Sequence, residues 1–201
     1  GPIMKVVNAT GGAVSVNTYT TGGSLASSPG LALAADGTLY VSDQTYNFIS
    51  GIASGPVKRF DAAGSYVGEV IASGSSGLSG PTGLVVSGST LYTASLMPGT
   101  VVKTNLSTDA TQPFASAGGP FETGVLARLA DGSIIAGSPS GSGSIFTFGA
   151  DGTLLSTFAS GLGQIGGISV MQVPEPSAAA LVAAAACSAV WFVRRRPTCP
   201  R

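Results

Sequence analysis

The chain has 201 residues, of which 30 are glycine, nine are basic and nine are acidic, and 44% of its side chains are apolar. This composition excludes a coiled coil and a charged disordered tail, and the balanced charge leaves no positive field for nucleic acid. The sequence contains no histidine, so a Ser-His-Asp hydrolase triad is impossible and the commonest metal ligand is missing.

A repeated pattern of strand, tight turn and strand occupies most of the chain. Its copies open at Gly30, Gly83 and Gly124, with a fourth start at Gly167, so the intervals are 53, 41 and 43 residues. A second register, in which a strand ends and a turn begins, recurs at intervals of 53, 44 and 44 residues: Val7-Asn8, Phe60-Asp61, Thr104-Asn105 and Phe148-Gly149. The first interval is longer because of additional residues between Gln44 and Gly55, which we expect to form a loop outside the repeat.

The copies contain the chemistry of tight hairpin turns. Asp36-Gly37, Asp131-Gly132 and Asp151-Gly152 are typical of type I′ turns, in which both central residues have positive φ. Two hairpins in each period give four antiparallel strands, and four strands in about 40 to 45 residues make a β-propeller blade. The sequence therefore predicts an all-β domain over residues 1–172. Whole blades are expected at 28–77, 78–119 and 120–161, two outer strands at 1–27 and one innermost strand at 162–172.

The first copy carries the most specific motif. Residues 30–43 read Gly-Leu-Ala-Leu-Ala-Ala-Asp-Gly-Thr-Leu-Tyr-Val-Ser-Asp, and residues 57–64 read Val-Lys-Arg-Phe-Asp-Ala-Ala-Gly. These segments resemble the NHL and gluconolactonase-like propeller repeats. The resemblance implies a β-propeller. Counting the predicted strands gives about four blades in this chain, and since such relatives usually close with about six, a truncated six-bladed ring is favoured over a four-bladed one. A right-handed β-helix or a β-sandwich is the alternative, disfavoured because its spacing would be shorter or non-repeating.

Polar side chains recur where the second strand of each copy ends, at Asp43, Ser95 and Ser138. The resemblance to gluconolactonases implies a divalent cation such as calcium, held in the central channel by acidic and asparagine side chains. Asp43 and Glu122 are the only charged candidates for such a site, so we predict no metal, no other cofactor and no catalytic residue. The turn aspartates are assigned to backbone chemistry: Asp61, Asp109, Asp131 and Asp151.

Aromatic side chains alternate with small residues along the predicted strands. We expect them to pack between blades rather than to form a carbohydrate platform. They are Tyr40, Phe60, Tyr92, Phe146, Phe148 and Phe158.

Two glycine positions and one glycine-rich segment have distinct predicted roles. Gly37 lies in a repeated turn and should resist a side chain, whereas Gly55 lies in the inserted loop and should tolerate one. Residues 161–166 satisfy a dinucleotide-binding pattern, but they lead into a predicted strand rather than a helix. We interpret this segment as a turn between blades.

The C-terminal segment differs from the rest of the chain. Residues 177–193 contain no charge, proline or glycine, and Arg194, Arg195 and Arg196 follow directly. As a helix these 17 residues would be about 25 Å long, near the lower limit for crossing a bilayer. The arginines would act as the membrane stop and stay in the cytoplasm, which places the body on the other side. The sequence thus predicts one transmembrane helix.

A Pro174-Glu175-Pro176 motif precedes this helix. The motif, the hydrophobic helix and the arginine cluster occur in the order typical of the PEP-CTERM sorting signal, which residues 173–201 resemble. The resemblance implies export, retention in the inner membrane, and recognition by an exosortase, a sorting protease that releases the product to the cell envelope or extracellular matrix. A secretory peptide is also required, and since residues 1–5 start no apolar segment, we expect it to have been lost or removed.

These features predict an exported, membrane-anchored or exosortase-processed β-propeller. The leading hypothesis is a non-enzymatic binding or extracellular-matrix module with a protein or polysaccharide ligand. The alternative is a divalent-metal-dependent enzyme of gluconolactonase-like or lyase-like type.

Overall fold

A computed structural model describes residues 1–8, 14–47, 49–50, 52–97, 99–116, 124–138 and 143–170. These residues belong to one compact unit, Gly1–Val170. The described regular elements are strands, apart from one short 3-10 turn at Ser75–Gly77. The prediction of an all-β fold is therefore confirmed.

Three four-stranded antiparallel sheets follow one another along the chain. The first sheet contains β3 (Leu31–Leu33), β4 (Leu39–Ser42), β7 (Val57–Phe60) and β8 (Tyr66–Ile71). The second contains β9 (Pro81–Ser87), β10 (Thr90–Ser95), β11 (Thr100–Asn105) and β12 (Ala110–Ser116). The third contains β13 (Val125–Arg128), β14 (Ile134–Gly137), β15 (Ile145–Phe148) and β16 (Leu154–Ala159). Each sheet is a simple meander, as in a propeller blade.

Two small hairpins accompany the blades. At the N-terminus, β1 (Met4–Asn8) pairs with β2 (Val14–Thr18). The insertion in the first repeat contains β5 (Thr45–Asn47) and β6 (Ile52–Ser54), which pair with each other and not with the first sheet. The inserted residues are thus a separate hairpin between β4 and β7.

The first strands of the three sheets lie next to one another. β9 contacts both β3 and β13. A Cβ atom added to Gly30, just before β3, would overlap the carbonyl oxygen of Thr82, and one added to Gly83 would lie 2.9 Å from the backbone nitrogen of Leu126. The glycines that open the repeats therefore allow the innermost strands to approach closely.

The sheets bury their faces against each other. Val101 and Val102 are adjacent in β11 but belong to different apolar clusters, because successive side chains of a strand point to opposite faces. The cluster containing Val101 joins the second sheet to the third through residues such as Phe146 and Phe148. The cluster containing Val102 joins the second sheet to the first.

Most of the aromatic residues that we expected to pack between blades do lie between sheets. Tyr40, Phe60, Phe146 and Phe148 are buried, and Tyr92 is half-buried against Phe114. Phe158 is the exception, since 72% of it is exposed. It lies in β16, the edge strand of the third sheet, in which every side chain is exposed or half-buried.

The predicted turn type is wrong, although the turn positions are right. Gly37, Gly132 and Gly152 have φ of +86°, +92° and +91°, but the preceding aspartates are not among the described residues with positive φ. At the first turn the Gly37 amide donates to the carbonyl of Ala34 (3.0 Å), and the Ala34 amide donates to the carbonyl of Thr38 (2.9 Å). This is a three-residue loop in which a type I turn is followed by a glycine bulge, and the same pattern recurs around Gly132 and Gly152.

The aspartates hold these turns through their side chains. Oδ1 of Asp36, Asp131 and Asp151 each accepts the amide hydrogen of the second residue after it, at 2.9 Å. These backbone hydrogen bonds lower the pKa of the three carboxyl groups, because they favour the charged form.

Two further expectations are corrected. Gly55 is not tolerant, since it has φ of +140° and an added Cβ would overlap the carbonyl oxygen of Asp43. No strand is assigned within 162–170, the described part of the predicted innermost strand. Instead, Ile165 is buried and lies with Ile168 close to Gly137 of the third sheet.

No helix among the described residues has the length and hydropathy needed to cross a membrane. The predicted transmembrane helix at 177–193 lies outside the described residues.

Replacing Gly37 by alanine should lower the free energy of unfolding by about 1 to 2 kcal/mol, because a residue with a Cβ atom resists positive φ. An added Cβ would also lie 2.9 Å from Cβ of Ala62. Gly166→Ala is the matched control, since nothing lies within 4 Å of the added atom and no positive φ is required. Urea unfolding of both variants checks this prediction, and equal midpoints would contradict it.

Candidate functional site

The polar residues at the ends of the second strands are all buried. Asp43 follows β4 directly, Ser95 ends β10, and Ser138 follows β14. Their exposed fractions are 6%, 0% and 2%. The repeat thus places three polar side chains inside the protein, where each needs a hydrogen-bond partner.

Both carboxylate oxygens of Asp43 are engaged. Oδ1 accepts the amide hydrogen of Ala26 at 2.6 Å, and Oδ2 lies 2.6 Å from Nζ of Lys58. The Lys58 ammonium also donates to the carbonyl of Ser24 at 2.5 Å. The side chains of Lys58 and Asp43 are only 11% and 8% exposed, so this is a buried ion pair. It ties the segment before the first sheet to β7.

Ser95 makes the equivalent contact in the second sheet. Its hydroxyl oxygen accepts the amide hydrogen of Ser79 at 2.9 Å, just as Asp43 accepts that of Ala26. The same hydroxyl lies within hydrogen-bond distance of the carbonyls of Ser79 (3.0 Å) and Met97 (2.8 Å). At Ser138 the backbone amide donates to the carbonyl of Ser144 at 2.9 Å. The first two positions therefore share one task, which is to hold the chain that leads into the innermost strand.

This geometry does not fit a divalent cation at Asp43. A cation there would have to displace the Lys58 ammonium from Asp43. The positive charge of Lys58 would then be buried without a counter-charge. Among the described residues, no three His, Cys, Asp or Glu side chains lie together in a group that could hold a metal ion. The second candidate, Glu122, lies outside the described residues. The described part of the chain thus uses Asp43 as a structural clamp.

Sequence reasoning missed Lys58 as the partner of Asp43. The signal lies in the strand register, because Lys58 pairs with Val41 across β4 and β7, two residues before Asp43. Diagonal neighbours of this kind are within reach of a long side chain. The sequence shows a lysine in the third strand of the repeat, but only the strand pairing shows that its side chain reaches Asp43.

Sequence reasoning also missed two grooves on the blades. The first groove has a volume of about 430 Å³ and lies between the first and second sheets, with Thr38, Tyr40 and Arg59 on one side and Ser89 and Ser107 on the other. Burial raises the pKa of the Tyr40 hydroxyl, so it remains a neutral donor. The second groove has a volume of about 440 Å³ and lies on the second sheet, lined by residues that include Thr90, Tyr92, Lys103, Asn105 and Gln112.

An ion pair joins the two sheets that border the first groove. Arg59 of β7 contacts Asp109, in the turn between β11 and β12, with Nη–Oδ distances of 3.3 and 3.4 Å. These side chains are 26% and 40% exposed, so water weakens the attraction. The turn aspartate Asp109 therefore also links neighbouring blades.

The remaining predicted sites lie elsewhere. Pro174, Glu175, Pro176 and Arg194 to Arg196 lie outside the described residues. In segment 161–166, Gly161 and Gly163 have φ of +74°, and no helix follows up to residue 170. A dinucleotide site would need a helix N-terminus at this place.

The solved structures similar to this chain are β-propellers, and they include enzymes named gluconolactonases and a chain of a protein–protein complex. A gluconolactonase from Xanthomonas campestris superposes with a TM-score of 0.59 at 21% identity, covering 81% of this chain and 57% of that one. A second structure, provisionally named a gluconolactonase, matches with a TM-score of 0.58 at 21% identity over 79% of this chain and 57% of the other. A chain of a nidogen–laminin complex matches with a TM-score of 0.55 at 17% identity, over 70% and 51%.

No protein-family model and no curated protein matches the sequence. The chain spans a little over half the length of the structures that it resembles. At these identities the likeness establishes the propeller fold and leaves the activity to the side chains of this chain.

Replacing Asp43 by asparagine should lower the free energy of unfolding by about 3 to 5 kcal/mol, because it leaves the Lys58 ammonium buried without a counter-charge. The double variant Asp43→Asn with Lys58→Met should be markedly more stable than the single variant. Asp109→Asn is the matched control, since it breaks an exposed ion pair and should cost less than about 1 kcal/mol. Equal urea midpoints for Asp43→Asn and Asp109→Asn would contradict the clamp.

Proposed function

We propose that this chain is an exported β-propeller module that binds an extracellular ligand, a protein or a polysaccharide, without catalysing a reaction. The position of Asp43 carries this proposal. It is the only charged candidate among the described residues, and its two oxygens are held by the Ala26 amide and the Lys58 ammonium. A carboxylate committed in this way stabilises the fold rather than presenting itself to a metal or a substrate.

The rival function is a divalent-metal-dependent enzyme of gluconolactonase-like or lyase-like type. It is favoured by the fold, since similar structures carry the name gluconolactonase. The structural role of Asp43 argues against it, because a metal at this residue would break the buried ion pair.

The full chain should show no metal-dependent hydrolysis of a sugar lactone or of a simple aryl ester above the rate in buffer. The measurement compares the chain with added calcium, zinc or manganese and with a chelator. Hydrolysis above the rate in buffer that the chelator abolishes would overturn the binding module in favour of the enzyme.

The proposed route to the outside rests on the C-terminal sequence. Pro174, Glu175 and Pro176 precede the 17 uncharged residues 177–193, and three arginines follow. Each arginine costs about 2.5 to 3.5 kcal/mol at the centre of a bilayer, so the cluster would hold the C-terminus in the cytoplasm and the body outside. In this proposal the helix anchors the chain in the inner membrane until an exosortase-type protease reads the Pro-Glu-Pro motif and releases the body to the envelope or matrix.

Replacing Glu175 by alanine should leave membrane insertion unchanged and block release, because the processing enzyme loses its acidic recognition point while the apolar helix is intact. Immunoblots of membrane and medium fractions, in a host that carries an exosortase, follow both outcomes. Glu69→Ala, which removes an exposed acid of the body, should be released normally. A normal amount of released Glu175→Ala product would refute the sorting role and leave the membrane helix standing.

A further inference from the structure

The two grooves share one set of side chains, although the first lies between two sheets and the second lies on one sheet. In both, a tyrosine of the second strand, two residues after a threonine, faces a basic residue of the third, since Tyr40 pairs with Arg59 and Tyr92 pairs with Lys103. Both sets line a groove of similar volume, about 430 and 440 Å³. The members of the two sets are Thr38, Tyr40 and Arg59 in the first groove, and Thr90, Tyr92 and Lys103 in the second. In the third sheet the pair at this place is Ile135 with Thr147, so the feature is confined to two blades.

The basic residue of the first groove already has a carboxylate partner. Asp109 comes from the next blade and places its two carboxylate oxygens 3.3 and 3.4 Å from the Arg59 guanidinium. Contacts of a carboxylate with a cation are stronger than those between neutral groups. At this position of the repeat, the basic residue is therefore matched to a carboxylate.

The second groove has the cation without the anion. Lys103 makes no ion pair with any described residue, and its Nζ lies 5.6 Å from the centre of the Phe114 ring. The floor beside it is formed by Tyr92, which stacks edge-on against Phe114 with ring centres 4.9 Å apart. Asn105 and Gln112 flank Lys103 on its own strand and the next, and both are exposed. The groove thus presents one charge, a tyrosine and two amides to solvent.

We propose that the second groove binds an acidic saccharide, a uronate-containing polysaccharide, whose carboxylate occupies at Lys103 the place that Asp109 occupies at Arg59. Sugar rings combine apolar C–H faces with hydroxyl groups that both donate and accept hydrogen bonds. Tyr92 offers an apolar body with a polar tip, Nδ2 of Asn105 offers a donor, and the Gln112 amide offers a donor and an acceptor. Oδ1 of Asn105 already accepts the amide hydrogen of Ser107 at 2.9 Å. This mixture favours a saccharide over an acidic peptide, because an aromatic ring and side-chain amides suit the C–H faces and hydroxyl groups of sugar rings, which a peptide lacks. The assignment rests on the proposed binding function and names its ligand class.

Titration calorimetry of the full 201-residue chain with a defined oligogalacturonate tests the site. The wild-type chain should bind, and Lys103→Gln should weaken binding at least tenfold and flatten its dependence on salt, because the charge contact is screened by ions. Lys5→Gln is the matched control, since Nζ of Lys5 also lies 5.6 Å from an aromatic ring, that of Tyr19, outside the groove. It should bind like the wild type, and both variants should have the same unfolding midpoint as the wild type.

Four outcomes would overturn the assignment. They are absence of wild-type binding, equal losses in Lys103→Gln and Lys5→Gln, equal affinity for a neutral oligogalactose, and tighter binding of polyglutamate than of oligogalacturonate. The last outcome would make the ligand an acidic protein. Each of them leaves the export proposal to be judged by the Glu175 variant, so the two can fail independently.

Discussion

The middle sheet of this protein has two apolar faces, and its own four strands can cover neither. Burial of these faces against the two neighbouring sheets is the constraint on which the fold depends. The middle sheet shows it most directly, because Val101 and Val102 are consecutive in one strand and are buried in clusters on opposite sides. Stability is therefore shared between blades, and a change in one blade is felt by the next.

Close stacking limits what can lie at the inner ends of the strands. The innermost strands approach so closely that Gly30 and Gly83 have no room for a side chain. Buried side chains hold the segments that lead into these strands. Asp43 and Ser95 accept the backbone amide hydrogens of Ala26 and Ser79.

The carboxylate at the end of the second strand serves the fold in this chain. Asp43 is paired with Lys58. The lysine of the third strand thus makes this carboxylate part of a structural clamp. The activity of a propeller is therefore decided by individual side chains on its surface and at its strand ends, and not by the arrangement of blades.

The sequence by itself determined the period of the repeat, the four-stranded unit, the positions of the Asp-Gly turns and the burial of most aromatic residues. These are local properties, because they follow from the two-residue periodicity of strands and from the conformational preferences of glycine and aspartate. Only the tertiary structure decided the glycine bulge after Asp36, the exposure of Phe158, the restriction at Gly55 and the pairing of Lys58 with Asp43. Each depends on strand register, on the approach of distant backbone or on whether another part of the chain covers the strand. Alternation along a strand shows which face a side chain shares, but not which residue of another strand or blade covers it.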